Sequence, residues 1–256
     1  MRRKMLFIGT LLTSLLATTP VMAFNWGNIV NNSQKQSTDK EILFRDIPWG
    51  TSFTDVQNIL SDFDWYGMSY EHMKRYPVQE VLTDDDGGTD VFTNGGINIV
   101  ASPFTDKETD VAGYKTSNIN LYFSYTPDGI FSKEDSQTEL YGAKYEFEPQ
   151  NLQSMYDDIE NKLTSLYGDP ADVTADKNWT GAKNTYTWWY GANDSVVVLG
   201  KSDFSEVDSD FYKDELWISY AWQKGDELLK AADDAISQSN SDTEASVYGN
   251  GSTNGL

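Results

Sequence analysis

Two segments roughly a hundred residues apart carry one pattern. Asp55-Val56-Gln57-Asn58-Ile59-Leu60-Ser61 and Asp158-Ile159-Glu160-Asn161-Lys162-Leu163-Thr164 agree in character at nearly every position, and a Tyr-Gly pair (Tyr66-Gly67, Tyr167-Gly168) closes each copy. Each reads as an amphipathic helix, and such a helix is stable only when its apolar stripe is buried against something else. A recurring helix therefore predicts a recurring unit, with two copies sharing one core.

The local signals agree. Ser52 is placed to cap a helix with Asp55 at the third position, after which Phe53, Val56, Ile59, Leu60 and Phe63 fall on one face. Leu152, Met155, Tyr156, Ile159, Leu163 and Leu166 follow the helical period, Gly168 sits where a terminating glycine belongs, and Pro170 prevents continuation. A third stripe, Leu228, Leu229, Ala232 and Ile236, marks residues 226–236. Strand-like runs lie at 97–101, 118–125 and 143–147, and again at 184–190, 195–200 and 214–222, with Gly191-Ala192-Asn193-Asp194 as a hairpin turn. The order α-βββ-α-βββ-α predicts an α+β protein, in which tandem α-βββ units form an antiparallel sheet with helices packed on one face. The expected boundaries are a signal peptide at 1–23, a polar leader at 24–41, a domain at 42–236 whose halves are about 42–147 and 148–236, and a disordered Ser/Asn/Gly tail at 237–256.

Gly50-Thr51-Ser52-Phe53-Thr54-Asp55-Val56, with Leu60 behind it, resembles the helix start of the β-lactamase inhibitory protein and outer-membrane assembly lipoprotein (SmpA/OmlA-like) superfamily. The preceding Trp49-Gly50 pair is also similar to secreted proteins of Gram-positive bacteria. The resemblance implies an αα-plus-antiparallel-sheet unit, occurring singly or as a tandem pair. The inhibitory proteins carry disulfides and this chain has no cysteine, so the likeness bears on shape rather than on role.

Arg2, Arg3 and Lys4, the apolar stretch Met5 to Leu16, and Val21-Met22-Ala23 read as a secretory signal cleaved before Phe24, which predicts a secreted or cell-envelope location. The apolar stretch is shorter than the roughly 20 residues a membrane span needs, which argues against an anchor. Cleavage removes three of the 19 Lys and Arg, leaving 16 against 40 Asp and Glu, a net charge of −24. A surface so acidic repels nucleic acid and anionic membrane. What it suits is solubility, divalent cations or a basic protein partner.

Catalytic signals are sparse. His72 is the only histidine, so a Ser-His pair or an imidazole metal site must use it, and its neighbours Tyr70-Glu71-His72-Met73-Lys74-Arg75-Tyr76 resemble an ordinary surface segment. Neither a dinucleotide-binding glycine turn nor a Walker loop is present. The run Thr83-Asp84-Asp85-Asp86-Gly87-Gly88-Thr89-Asp90 invites weak calcium binding through Asp84, Asp86 and Asp90, but it departs from the EF-hand spacing, and a solvated turn is the competing reading.

Strand alternation sorts the aromatics. In 118–125, Ile119, Leu121, Phe123 and Tyr125 form the expected core set and leave Asn118, Asn120, Tyr122 and Ser124 outward. Tyr186, Trp188 and Tyr190 leave Trp189 outward in the same way, and Leu216, Ile218, Tyr220 and Trp222 leave Trp217. A helix-free face carrying Tyr122, Trp189 and Trp217 beside Asn120 would be a recognition surface for a protein or a glycan. The expected function is a non-catalytic binding module using that open sheet face. The alternative is a glycan-acting hydrolase or carbohydrate-binding protein with an acidic site.

Overall fold

The computed structural model describes residues 36–61, 64–65, 76–83, 99–101, 103–104, 110–125, 138–208, 211–231, 234 and 238. Three helices, α1 (Phe53–Ile59), α2 (Val78–Thr83) and α3 (Leu152–Tyr167), surround a central sheet. Two short pairs stand apart from it: β1 (Asp64–Trp65) with β3 (Pro103–Phe104), and β4 (Asp110–Val111) with β5 (Tyr114–Lys115). The central sheet contains β2 (Ile99–Ala101), β6 (Asn118–Tyr125), β7 (Thr138–Phe147), β8 (Asp172–Lys177), β9 (Lys183–Tyr190), β10 (Ser195–Asp203) and β11 (Glu215–Trp222). Its order is β2-β6-β7-β11-β10-β9-β8, and every neighbouring pair is antiparallel. The α+β class and the antiparallel sheet are thus as the sequence predicts.

The last strands of the two expected halves, β7 and β11, meet in the middle of the sheet, with register from Phe147 opposite Leu216 to Gly142 opposite Ala221. The hairpin between β9 and β10 turns at Asn193 and Asp194, both at positive φ (56° and 58°), the two-residue geometry that matches strand twist.

Helices α1 and α3 lie on one face. Ser52 Oγ accepts a hydrogen bond from Asp55 N at 3.2 Å to cap α1, and Asn151 Oδ1 accepts from Ser154 N at 2.9 Å to cap α3. The recurring pattern occupies both helices at different depths, since Asp55 is the third residue of α1 and Asp158 the seventh of α3. The equivalent positions Val56 and Ile159, and Leu60 and Leu163, all enter one core with Ile119, Leu121, Ala143, Tyr145, Val197, Leu199, Ile218 and Tyr220. Ile59 and Leu166, expected in the stripes, are exposed.

The second face is not open. α2, which the sequence reading did not anticipate, lies on it. The Trp217 indole donates Nε1–H to Leu82 O at 3.1 Å, Val81 packs over Gly142, and Tyr141 donates its hydroxyl to Tyr76 O at 2.8 Å. Residues 225–231 form a further short helix whose Asp226 Oδ1 accepts from Val78 N at 2.9 Å, capping α2. β10 is consequently buried on both sides along its length. A strand covered on both faces reads as a continuous apolar run, as Val196-Val197-Val198-Leu199 does.

Residues 36–51 form a strap across the sheet. Ser37 N and Thr38 N donate to Tyr190 O, Ala192 N to Lys40 O, and Ile42 N to Ser195 Oγ. The strap then inserts Phe44, Ile47 and Trp49 into the core and pairs Gly50 and Thr51 with Leu140 of β7.

Candidate functional site

The residues expected to form an open aromatic face do not do so. Tyr122 is 3% exposed, Trp189 0% and Trp217 2%. Trp217 does leave the α1/α3 core, but it lies under α2 and directly over Gly200. Tyr122 packs edge-on against Tyr76 at 5.4 Å between ring centres. For Trp189 the side itself is corrected. Its Nε1 donates to Gly168 O at the end of α3 (3.0 Å), and Thr187 on the same side meets the Tyr156 hydroxyl of α3 at 2.5 Å. Tyr186 and Trp188 therefore belong to the opposite face, where Tyr186 meets Trp217. With both faces apolar, alternation alone could not decide which set met α3. Asn120 is half-buried and donates to Glu146 Oε1 at 3.0 Å. Asp84, Asp86, Asp90 and His72 lie outside the described residues.

Exposed aromatics gather instead at one end of the sheet, where the connections β8–β9 and β10–β11 meet the segment after β7. The first loop is tied by Asn178, whose Oδ1 accepts from Thr180 N, Thr180 Oγ1 and Ala182 N, and Gly181 completes the turn at φ +91°. That tight turn holds Trp179 out at 79% exposure. The second loop is pinned by Asp214 Oδ1, which accepts from Phe204 N at 3.0 Å, and by Asp203 Oδ1, which accepts from Ser205 N at 2.9 Å. It carries Phe211, 94% exposed, and Tyr212, which stacks on buried Phe204 at 5.3 Å and 10°. Trp179 meets Tyr212 edge-on at 6.5 Å. The result is an aromatic ledge carried by these two loops.

Beside it opens a cleft of about 640 Å³ lined in part by Glu146, Glu148, Lys213, Asp214 and Glu215. A second hollow of about 690 Å³, with Tyr114 and Lys115 on its wall, shares Ser117, Glu148 and Gln150 with the first. Carboxylates dominate this end. Lys177 and Lys213 are among the cations at this end, and Lys183 is already paired with Glu206 across the loop. That pairing raises the Lys183 pKa and lowers that of Glu206. The Ser205 hydroxyl and amide hold the Asp203 carboxyl below its ordinary range.

Among the described residues no cluster of three His, Cys, Asp or Glu side chains is arranged to hold a metal ion, and no helix is long and apolar enough to cross a membrane. Trp179 was legible in the sequence as a large aromatic inside Asn178-Trp179-Thr180-Gly181, a turn with no strand to bury it. Phe211-Tyr212, set among Asp208, Lys213, Asp214 and Glu215, carries the same signal. The architecture defines an α+β protein whose antiparallel sheet is covered on both faces and carries exposed aromatics at its loop end. No protein-family model, curated protein or solved structure matches the chain.

Proposed function

We propose that this chain is an exported, non-catalytic binding module that engages a protein partner through the loop-end ledge of Trp179, Phe211 and Tyr212. The observation that carries this reading is the exposure of Trp179 and Phe211 on loops fixed by side-chain hydrogen bonds. Large aromatics held in water by a rigid frame lose little conformational freedom on docking and supply most of the contact energy at protein interfaces. The Arg2-Arg3-Lys4 leader with its apolar stretch supports export.

The test uses the chain from Phe24 onward as bait against secreted and envelope fractions of the source cells, in parallel with Trp179→Ala/Phe211→Ala. The double variant should fold normally, because both side chains are on the surface, and should lose the captured partner. Equal capture by both proteins would remove the ledge from the reading. Retention on glycans, with competition by soluble oligosaccharide, would replace a protein partner by a sugar, since a pyranose face also stacks on Trp and Tyr.

A further inference from the structure

Aromatic rings in this protein recur beside carboxylates, and in two places one of the chain's own cations occupies the gap. Lys162 Nζ lies 5.1 Å from the Tyr114 ring centre while paired with Asp158, which also accepts from the Tyr114 hydroxyl. Lys224 Nζ lies 5.5 Å from the Trp222 ring and 3.9 Å from Asp194. Both arrangements use one chemistry: the negative face of the ring and the carboxylate hold the same cation from two sides. The ledge repeats those ingredients. Trp179 and Tyr212 present rings, and Glu206, Asp208 and Asp214 lie within the loop that carries Tyr212, with Asp203 and Glu215 at the strand ends on either side. Among the described residues, no Lys or Arg lies over the Trp179 or Tyr212 ring.

We propose that the ledge docks a basic segment of a partner protein, whose Lys and Arg side chains lie over Trp179 and Tyr212 and reach the carboxylates of the adjoining cleft. This rests on the binding-module reading and names its partner by charge. An acidic peptide or a nucleic acid would meet like charge in a cleft lined by Glu146, Glu148, Asp214 and Glu215 beside Lys213. A neutral apolar segment would desolvate those carboxylates without bringing a cation to them. A basic segment satisfies both halves of the surface, and the chain's net charge of −21 steers it there.

The probes are the ten-residue peptides (Arg-Gly)5, (Lys-Gly)5 and (Ser-Gly)5, titrated against the chain from Phe24 onward with tryptophan fluorescence and calorimetry as readouts. The two basic peptides should bind, (Arg-Gly)5 the tighter, and (Ser-Gly)5 should not. Trp179→Leu keeps an apolar side chain and removes the ring face, and combined with Tyr212→Leu it should weaken (Arg-Gly)5 by about tenfold or more. Glu148→Gln/Glu215→Gln should weaken it by at least about fivefold. Glu227→Gln/Asp169→Asn, which removes the same charge at the opposite end of the sheet, should change it by less than about twofold. Equal effects of the two charge pairs would reduce the attraction to bulk charge and overturn the proposal, as would unaltered binding by the leucine variants. Ledge-dependent capture of a partner that neither 0.5 M NaCl nor (Arg-Gly)5 disturbs would overturn the basic segment while sparing the binding module. Absence of any ledge-dependent capture would overturn both.

Discussion

Gly200 and Trp217 depend on one another. A Cβ on Gly200 would stand 2.2 Å from the Trp217 ring, and the ring cannot retreat because its Nε1 is bonded to Leu82 O. Gly200→Ala should therefore cost about 3 kcal/mol, at the upper end of overpacking, read as a lower midpoint in urea with an unchanged slope. Trp217→Ala should cost about 3–5 kcal/mol, whereas Trp179→Ala should lie within about 0.5 kcal/mol of the parent. Ser219 gives the opposite sign. Its hydroxyl is fully buried without a hydrogen-bond partner, so Ser219→Ala should be neutral or stabilising by up to about 1 kcal/mol. The buried tyrosines set the alkaline limit. Burial raises Tyr156 and Tyr190 to about 12 and lifts Tyr141 and Tyr220 well above the ordinary value of 10.0. In the unfolded chain these phenols lose their protons near pH 10, so above that pH the native state binds more protons than the unfolded state and stability falls as pH rises. Melting temperature should be insensitive to these groups below pH 9 and drop steeply between about pH 10 and 12, with late tyrosinate absorbance appearing together with unfolding. Tyrosinate forming early without loss of structure would contradict their burial.

The strap and α2 are the elements whose removal would change the most. Gly168 ends α3 at φ +83°, and a Cβ there would meet Ser37 O at 2.8 Å. Gly168→Ala should cost about 1–2 kcal/mol from the left-handed backbone alone and should also lift the strap. The readout is faster amide exchange at Ser37 and Thr38, whose N–H groups now reach Tyr190 O, with little change in the middle of β10. α2 explains much of what sequence reasoning missed. It has six residues and carries its apolar weight in Val78, Val81 and Leu82, too few to establish a helical period, and its N-terminal cap comes from Asp226, 148 residues away. The longer α3 was legible because sixteen residues repeat one stripe and Gly168 ends it. β6, with Ile119, Leu121 and Phe123 on one side, was legible from alternation. β9 was not, because Trp188 and Trp189 are buried on opposite faces and the pattern offers no polar side by which to choose. Val196 to Leu199 held the missing information: four consecutive apolar residues in a strand exclude an open face.

At the scale of the molecule, charge works against the fold. Forty acids against 19 Lys and Arg repel one another over a Debye length of about 8–10 Å, so added NaCl should raise the melting temperature. Calcium should raise it by no more than NaCl at matched ionic strength if residues 84–90 form a solvated turn, which is the expected outcome. A larger calcium shift, abolished by Asp86→Asn, would establish a site there. The chemistry of the surface was partly legible at this scale too. Composition left solubility, divalent cations and a basic partner all open, and the aromatics expected on an open strand face are buried, because burial on the second face depends on α2 and on pairings that no local window contains.

The seam between β7 and β11 also dictates when the chain can finish folding. β7 ends at Phe147, but one edge of it pairs only with β11, the last strand of the central sheet. The strap at 36–42 likewise lacks its partners until Tyr190, which accepts from it, and Ala192, which donates to it, exist. A chain emerging N-terminus first must carry residues 36–42 unpaired until Ser195 is out, and this edge of β7 unpaired until β11 is out. Such long loop closures make for slow folding that becomes cooperative only when the last strand of the central sheet arrives.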